Sequence, residues 1–144
     1  MDKIRKRNAP AAGRGAHKLK MTPASRTRYQ RGRWAERLAL EYLERKGLKL
    51  RDRNFTGPRG EIDFIMQDED VIAFIEVRYR AKDNFLHPIE SIDRKKCWRI
   101  VSTAEYYIQR HGKTADGQCR FDVITITGPE DSPVIGWIKN AFQA

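Results

Sequence analysis

The sequence predicts an α/β domain in which a mixed five-stranded sheet carries helices on its faces, in the order helix, three strands, helix, two strands. Three observations lead there. Two segments, 29–46 and 89–110, repeat their apolar residues at helical spacing. The run "VIAFIEV" at 71–77 is apolar almost without a break, as a central strand would be. "RFDVITIT" at 120–127 alternates in the manner of a further strand.

Taken in order, residues 29–46 place Trp34, Ala35, Leu38, Ala39, Tyr42 and Leu43 on one helical face, and Gly47 supplies the stop. "LKLRDRNF" reads as the first strand, "TGPRG" as a turn, and Glu61 to Met66 as the second strand. "QDED" turns the chain into a third strand from Val71 to about Tyr79. A polar loop with His87 and Pro88 leads to the second helix, patterned by Ile92, Trp98, Ile100, Val101, Ala104, Tyr107 and Ile108. His111 followed by Gly112 has the look of its C-terminal cap. After the strand at 120–127, "PVIGWIKNAF" gives a last short strand and an end piece.

The chain has 144 residues and a net charge of +10, very unevenly distributed. Residues 1–28 hold nine Lys or Arg against Asp2, a net of +8, which leaves +2 for the expected domain at 29–144. That segment has few large apolar residues and no helical period, so it is expected to be a disordered basic tail suited to phosphate contacts. It lacks the apolar stretch of a secretory signal, and no segment has the roughly 18 consecutive apolar residues of a membrane span. Cys97 and Cys119 stand apart, with no zinc or redox spacing, and are expected to be buried thiols in a reducing compartment. His17, His87 and His111 show no metal spacing either, and Trp34 and Trp98 are expected in core stripes.

The two strands around "QDED" contain carboxylates where apolar residues are expected. If four residues form the turn, Met66 pairs with Val71 and Asp63 with Phe74, and alternation puts Glu61, Asp63, Glu76 and Arg78 on one face. A carboxylate inside a central strand loses hydration at a cost of several kcal/mol unless a cation compensates. Arg59, Arg78 and Arg80 are one candidate source of that charge. The other is a divalent ion such as Mg2+, which needs one or two carboxylates and leaves room for water and phosphate.

Asp63 followed by "Glu76-Val77-Arg78" on the next strand resembles the D...(D/E)XK signature of the restriction-endonuclease-like nuclease superfamily. The wider series "RGRWAERLALEYLERKGLKLRDRNF", "GEIDFI", "FIEVRYR", "RKK", "RFDVITI" and "IKNAF" resembles the YraN family of bacterial proteins, over roughly residues 30–142. This resemblance implies a restriction-endonuclease-like core and a Mg2+- or Mn2+-dependent nuclease acting on DNA in the bacterial cytoplasm, with branched or damaged DNA as candidate substrates. It also implies that Asp63, Glu76 and the Val77 carbonyl ligate the metal. Glu36 corresponds to the helix acid that completes the cluster in the Holliday-junction-resolvase-like branch.

Arg78 stands where the family pattern of nucleases has a lysine. Arginine can stabilise phosphate charge but cannot act as a base near neutral pH. Lys96, with Lys95 behind it, matches a lysine position and is the candidate to supply that function. Glu61 is read as an outer acid or a partner of Arg59, and Asp122 as a structural acid paired with Arg120 or a neighbouring strand. Two other function classes compete: a nucleic-acid-binding module on a nuclease fold without turnover, consistent with Arg78 and the basic tail, and a protein-binding adaptor.

Overall fold

Thr27 starts the first helix by a capping box: its hydroxyl accepts from the Gln30 amide, and the Gln30 side chain accepts from the Thr27 amide. In the computed structural model, residues 27–80, 92–112 and 117–143 are described. The basic tail up to residue 26, His17 within it, and the loop with His87 and Pro88 lie outside the described residues.

Helix α1 (Arg28–Arg45) leads into strands β1 (Lys49–Gly57), β2 (Gly60–Asp68) and β3 (Val71–Arg80); then follow helix α2 (Arg94–His111) and strands β4 (Cys119–Thr127) and β5 (Val134–Phe142). The sheet order is β1-β2-β3-β4-β5. Among the described strands only β3 and β4 run parallel, and α2 lies between them in the chain, as a parallel connection requires. The expected element order and the mixed sheet are both present.

Each helix covers one face of the sheet. Ala35, Ala39 and Leu43 of α1 pack on Phe64, Met66, Ala73, Ile75, Ile124 and Ile126. Ile100, Ala104 and Tyr107 of α2 pack on Ile65, Ile72, Phe74 and Phe121. Strand β3 therefore alternates between two buried faces, which is why "VIAFIEV" reads as continuously apolar.

Four expectations need correction. The hairpin turns on Glu69 and Asp70 alone: Asp68 pairs with Val71, and Ile65 rather than Asp63 lies opposite Phe74. Gln67 and Asp68 extend β2 because their side chains find partners, Arg51 and the Glu69 carbonyl for Gln67 and Arg120 for Asp68. Glu69 adopts φ 51°, the left-handed conformation that tight hairpin turns use. A slip of two residues preserves which face each side chain takes.

The second helix begins at Arg94, after Asp93, whose carboxylate caps the Lys96 amide at 2.8 Å. Its buried face runs through Ile100, Thr103, Ala104 and Tyr107, and Trp98 points away from it, 56% exposed. The cysteines are not a buried pair: Cys119 is exposed and Cys97 half-buried. Gly112, at φ 75°, does end α2 as expected.

Candidate acidic site at the distorted middle of strand β2

Strict alternation fails in the middle of strand β2. Ile62 and Ile65 are an odd number of residues apart, yet both pack beneath α2. Pairing with β1 steps from Arg53–Phe64 to Phe55–Ile62 and passes over Asn54 and Asp63, and Asn54 has φ 49°. Asp63 thus sits where β2 changes the side it presents, and the expected placement of Glu61 on the face of Glu76 does not hold. The distortion re-aims a side chain next to the end of the regular β2–β3 pairing at Phe64–Ile75.

The Val77 amide on β3 donates to Asp63 Oδ2 at 2.8 Å, fixing that carboxylate against the neighbouring strand. Glu76, next in the chain to Val77, is 5% exposed. Two cations meet it: Lys96 Nζ from the first turn of α2 at 3.2 Å and Arg78 Nε from its own strand at 3.5 Å. Arg78 Nε is nonetheless a buried donor with no hydrogen-bond acceptor. The other two arginines considered for this role are elsewhere: Arg59 lies over the Trp98 ring and Arg80 donates to the Tyr79 carbonyl.

Two of the acids, Asp63 and Glu36, are under-compensated. Burial, and then the adjacent Glu76 charge, push the Asp63 carboxyl up to about 7, against the opposing effects of the Val77 amide and Lys96. Glu36 on α1 is also raised, by burial first and by Asp63 next, and is partly offset by Arg33 and Arg53. Glu61 is exposed, and its charge acts on both Asp63 and Glu36. The fold therefore brings Asp63, Glu76, Arg78 and Lys96 together, with Glu36 facing the group from the α1 side. Asp122 is apart from them, fully buried, with Arg120, the Trp137 indole and the Asn140 amide as its donors.

Among the described residues, no three His, Cys, Asp or Glu side chains converge as a ready metal cage. The donor set lacks the nitrogen and sulfur ligands with which a structural zinc site closes its shell. It does suit a hard ion of the Mg2+ type, which uses one or two carboxylates and keeps water or phosphate oxygens for the rest. The unsatisfied Arg78 donor beside the acids fits an incoming phosphate oxygen.

What sequence reasoning missed is the exposed pairing of Arg59 with Trp98, whose guanidinium carbon is 5.0 Å from the ring centroid. Trp98 was expected in the core stripe; the signal that could have placed it outside is Ile100, two residues on and so on the opposite side of the helix. No helix among the described residues is long and apolar enough to cross a membrane.

The model of Uncharacterised protein family UPF0102 matches residues 35–126, a span that includes Glu36, Asp63, Glu76, Val77, Arg78 and Lys96. The UPF0102 protein of Stutzerimonas stutzeri is 42% identical over 113 residues, covering 78% of this chain and 94% of the relative. That of Nitrosococcus oceani is 43% identical over 123 residues, covering 85% and 98%. A Coxiella burnetii UPF0102 protein is 41% identical over 109 residues, covering 76% and 88%.

Proposed function

The chain belongs to the uncharacterised protein family UPF0102, and from its site we propose a metal-dependent nuclease that hydrolyses phosphodiester bonds in DNA. One observation carries this reading: two strand carboxylates, Asp63 and Glu76, converge with Lys96 and an unsatisfied Arg78 donor at a distorted point of the sheet. Its likeness to the restriction-endonuclease-like D...(D/E)XK pattern supports the reaction class, and the resolvase-like placement of Glu36 suggests branched or damaged DNA as substrate. The relatives named above are bacterial, and a cytoplasmic location would give the site access to DNA.

Asp63 and Glu76 would hold Mg2+ or Mn2+, with Glu36 and the Val77 carbonyl as further oxygen ligands. When bound, the ion would polarise a phosphate oxygen and make the attacking water more acidic. The Val77 amide keeps Asp63 aimed at that position. Arg78 offers its buried Nε–H to a phosphate oxygen as part of a planar, delocalised cation. Lys96, held by Glu76 in the free protein, is placed to meet charge developing on the phosphate once that carboxylate has another cation.

Calorimetric titration of Mg2+ and Mn2+, followed by cleavage assays on linear, flap and four-way DNA, tests this with wild type, Asp63→Asn and Glu76→Gln. Loss of both metal binding and cleavage in folded variants supports it; cleavage undiminished in the variants would identify a contaminating activity. One observation favours a second reading, a DNA-binding module without turnover: Glu76 already has Lys96 and Arg78 as counterions. That reading is the one left standing if wild type binds DNA but no metal, alone or in the complex.

A further inference from the structure

Large apolar side chains exposed among the described residues include Tyr29, Trp98 and Val134. The two aromatic ones each carry a guanidinium over the ring, Arg33 at 6.0 Å from Tyr29 and Arg59 at 5.0 Å from Trp98. The second pair is built into the packing of the fold. Arg59 lies in the β1–β2 turn, flanked by glycines that let the turn press against α2. A Cβ on Gly57 would come within 3.2 Å of the Tyr106 ring, and one on Gly60 within 3.2 Å of Arg99 Cβ. These two close approaches hold Arg59 over the indole.

Beside the pair is a cavity of about 260 Å³ lined by Pro58, Arg59, Ser102, Glu105, Tyr106 and Gln109. Its Ser102, Glu105 and Gln109 side chains offer both donors and acceptors, and Tyr106 gives it a flat wall. Around Trp98 the first turns of α2 carry Arg94, Lys95, Lys96 and Arg99, with no acid in the first turn. Cations there oppose the helix dipole, so the arrangement favours an anion rather than the stability of the free helix.

We propose that Arg59 and Trp98 form a second DNA subsite, on which an unpaired base stacks while its backbone crosses the basic first turns of α2 toward the acidic site. This rests on the DNA reading above and extends it to substrates with a single-stranded segment. An exposed aromatic face backed by arginine is the chemistry that single-stranded nucleic acids use without sequence preference. The surrounding cations favour a polyanion over an apolar protein partner. Lys96 reaches Glu76 from one side of α2, and Trp98 stands two residues on, across the helix. A helix is roughly 10–12 Å across, so the stacked base would be about three nucleotides from the phosphate at Glu76, taking ~3.4 Å per nucleotide.

The test uses the full chain in EDTA at low salt, with a fluorophore-labelled single-stranded DNA oligonucleotide and a blunt duplex of the same sequence. Trp98→Ala and Arg59→Ala are expected to weaken single-strand binding, Trp98→Ala by about tenfold, with duplex binding unchanged. Trp98→Phe should retain most of the affinity. It should also lose the quenching of tryptophan emission by the single strand, because Trp34 and Trp137 pack against the α1-side core. Single-strand affinity equal to wild type in Trp98→Ala, a parallel loss on both oligonucleotides, or no binding by wild type would overturn the subsite. Mg2+-dependent cleavage is scored separately on the same DNA. Cleavage absent with Trp98-sensitive binding sinks the nuclease reading alone, and cleavage present with Trp98-insensitive binding sinks the subsite alone.

Discussion

Lys96 Nζ lies 3.2 Å from Glu76 Oε1, so the first turn of α2 supplies a counterion to a carboxylate on the strand that precedes it in the chain. The same lysine moderates Asp63. It therefore links both acids, and its removal should affect metal binding and turnover in opposite directions. In Lys96→Met, Mg2+ affinity should rise, because a competing cation has gone, while kcat falls by about 10² to 10³ if the ammonium stabilises phosphate charge. Calorimetry and single-turnover cleavage measure the two. A lysine that only neutralises Glu76 would leave turnover per bound metal unchanged.

The half-buried position of Asp63 beside Glu76 predicts an inverted pH dependence for an acid. Its folded-state value is about 7, against 3.8 for the free side chain. The folded state thus holds this proton more tightly than the unfolded state. The resulting stability is fully present below about pH 4 and is lost progressively as pH rises through 7. In metal-free buffer, Asp63→Asn should melt higher than wild type at pH 8, by about 5 °C, which is what roughly 1 kcal/mol is worth in a domain of this size. The gap should close toward pH 4. Equal melting temperatures across the range would mean that Asp63 is fully compensated in the folded state.

Much of the fold was legible because local periodicity carried it. Ala35, Ala39 and Leu43 recur at a spacing that only a helix turns into one face, and the two-sided burial of β3 leaves its run unbroken. The site was less so. Period-2 counting gave the correct parity for Ile65 and Phe74, but it could not foresee that Asn54 and Asp63 interrupt the alternation. Gln67 and Asp68 look like turn residues, and they extend the strand only because Arg51 and Arg120, distant in the chain, bind them. The proximity of Lys96 to Glu76 is tertiary and came from a family likeness rather than from any spacing. Trp98 was misread because an aromatic residue beside Ile100 and Val101 suggests a core stripe until the helix phase is known.

A tight backbone approach predicts the effect of one substitution between the last two strands. Gly136 lies opposite Thr125, and a Cβ at 136 would fall 2.6 Å from Thr125 Oγ1. Thr125 is buried, so its hydroxyl has little room to turn away. Gly136→Ala should cost about 1–3 kcal/mol in denaturant unfolding. Combining it with Thr125→Ala should recover part of that loss, since the clashing oxygen is gone. Additive losses in the double variant would show that the two positions do not touch.

Asp122 is a structural acid, in contrast to the acids of the proposed site. It is fully buried, yet both its oxygens are satisfied: Arg120 Nε donates to each, Trp137 Nε1 adds a bond at 3.1 Å and the Asn140 amide one at 2.9 Å. Arg120 also reaches Asp68 at 2.6 Å, so this acid ties β2, β4 and β5 together. Removing it leaves the Trp137 indole N–H and the Asn140 amide without their acceptor and takes one of its two carboxylates from the half-buried Arg120 guanidinium. Asp122→Ala should cost on the order of 3–5 kcal/mol, the range for breaking a buried pair from one side. Where the variant remains folded, at low temperature, its Mg2+ affinity should equal wild type, in contrast to Asp63→Asn. A variant of full stability with impaired metal binding would move Asp122 into the site and displace the assignment based on Asp63 and Glu76.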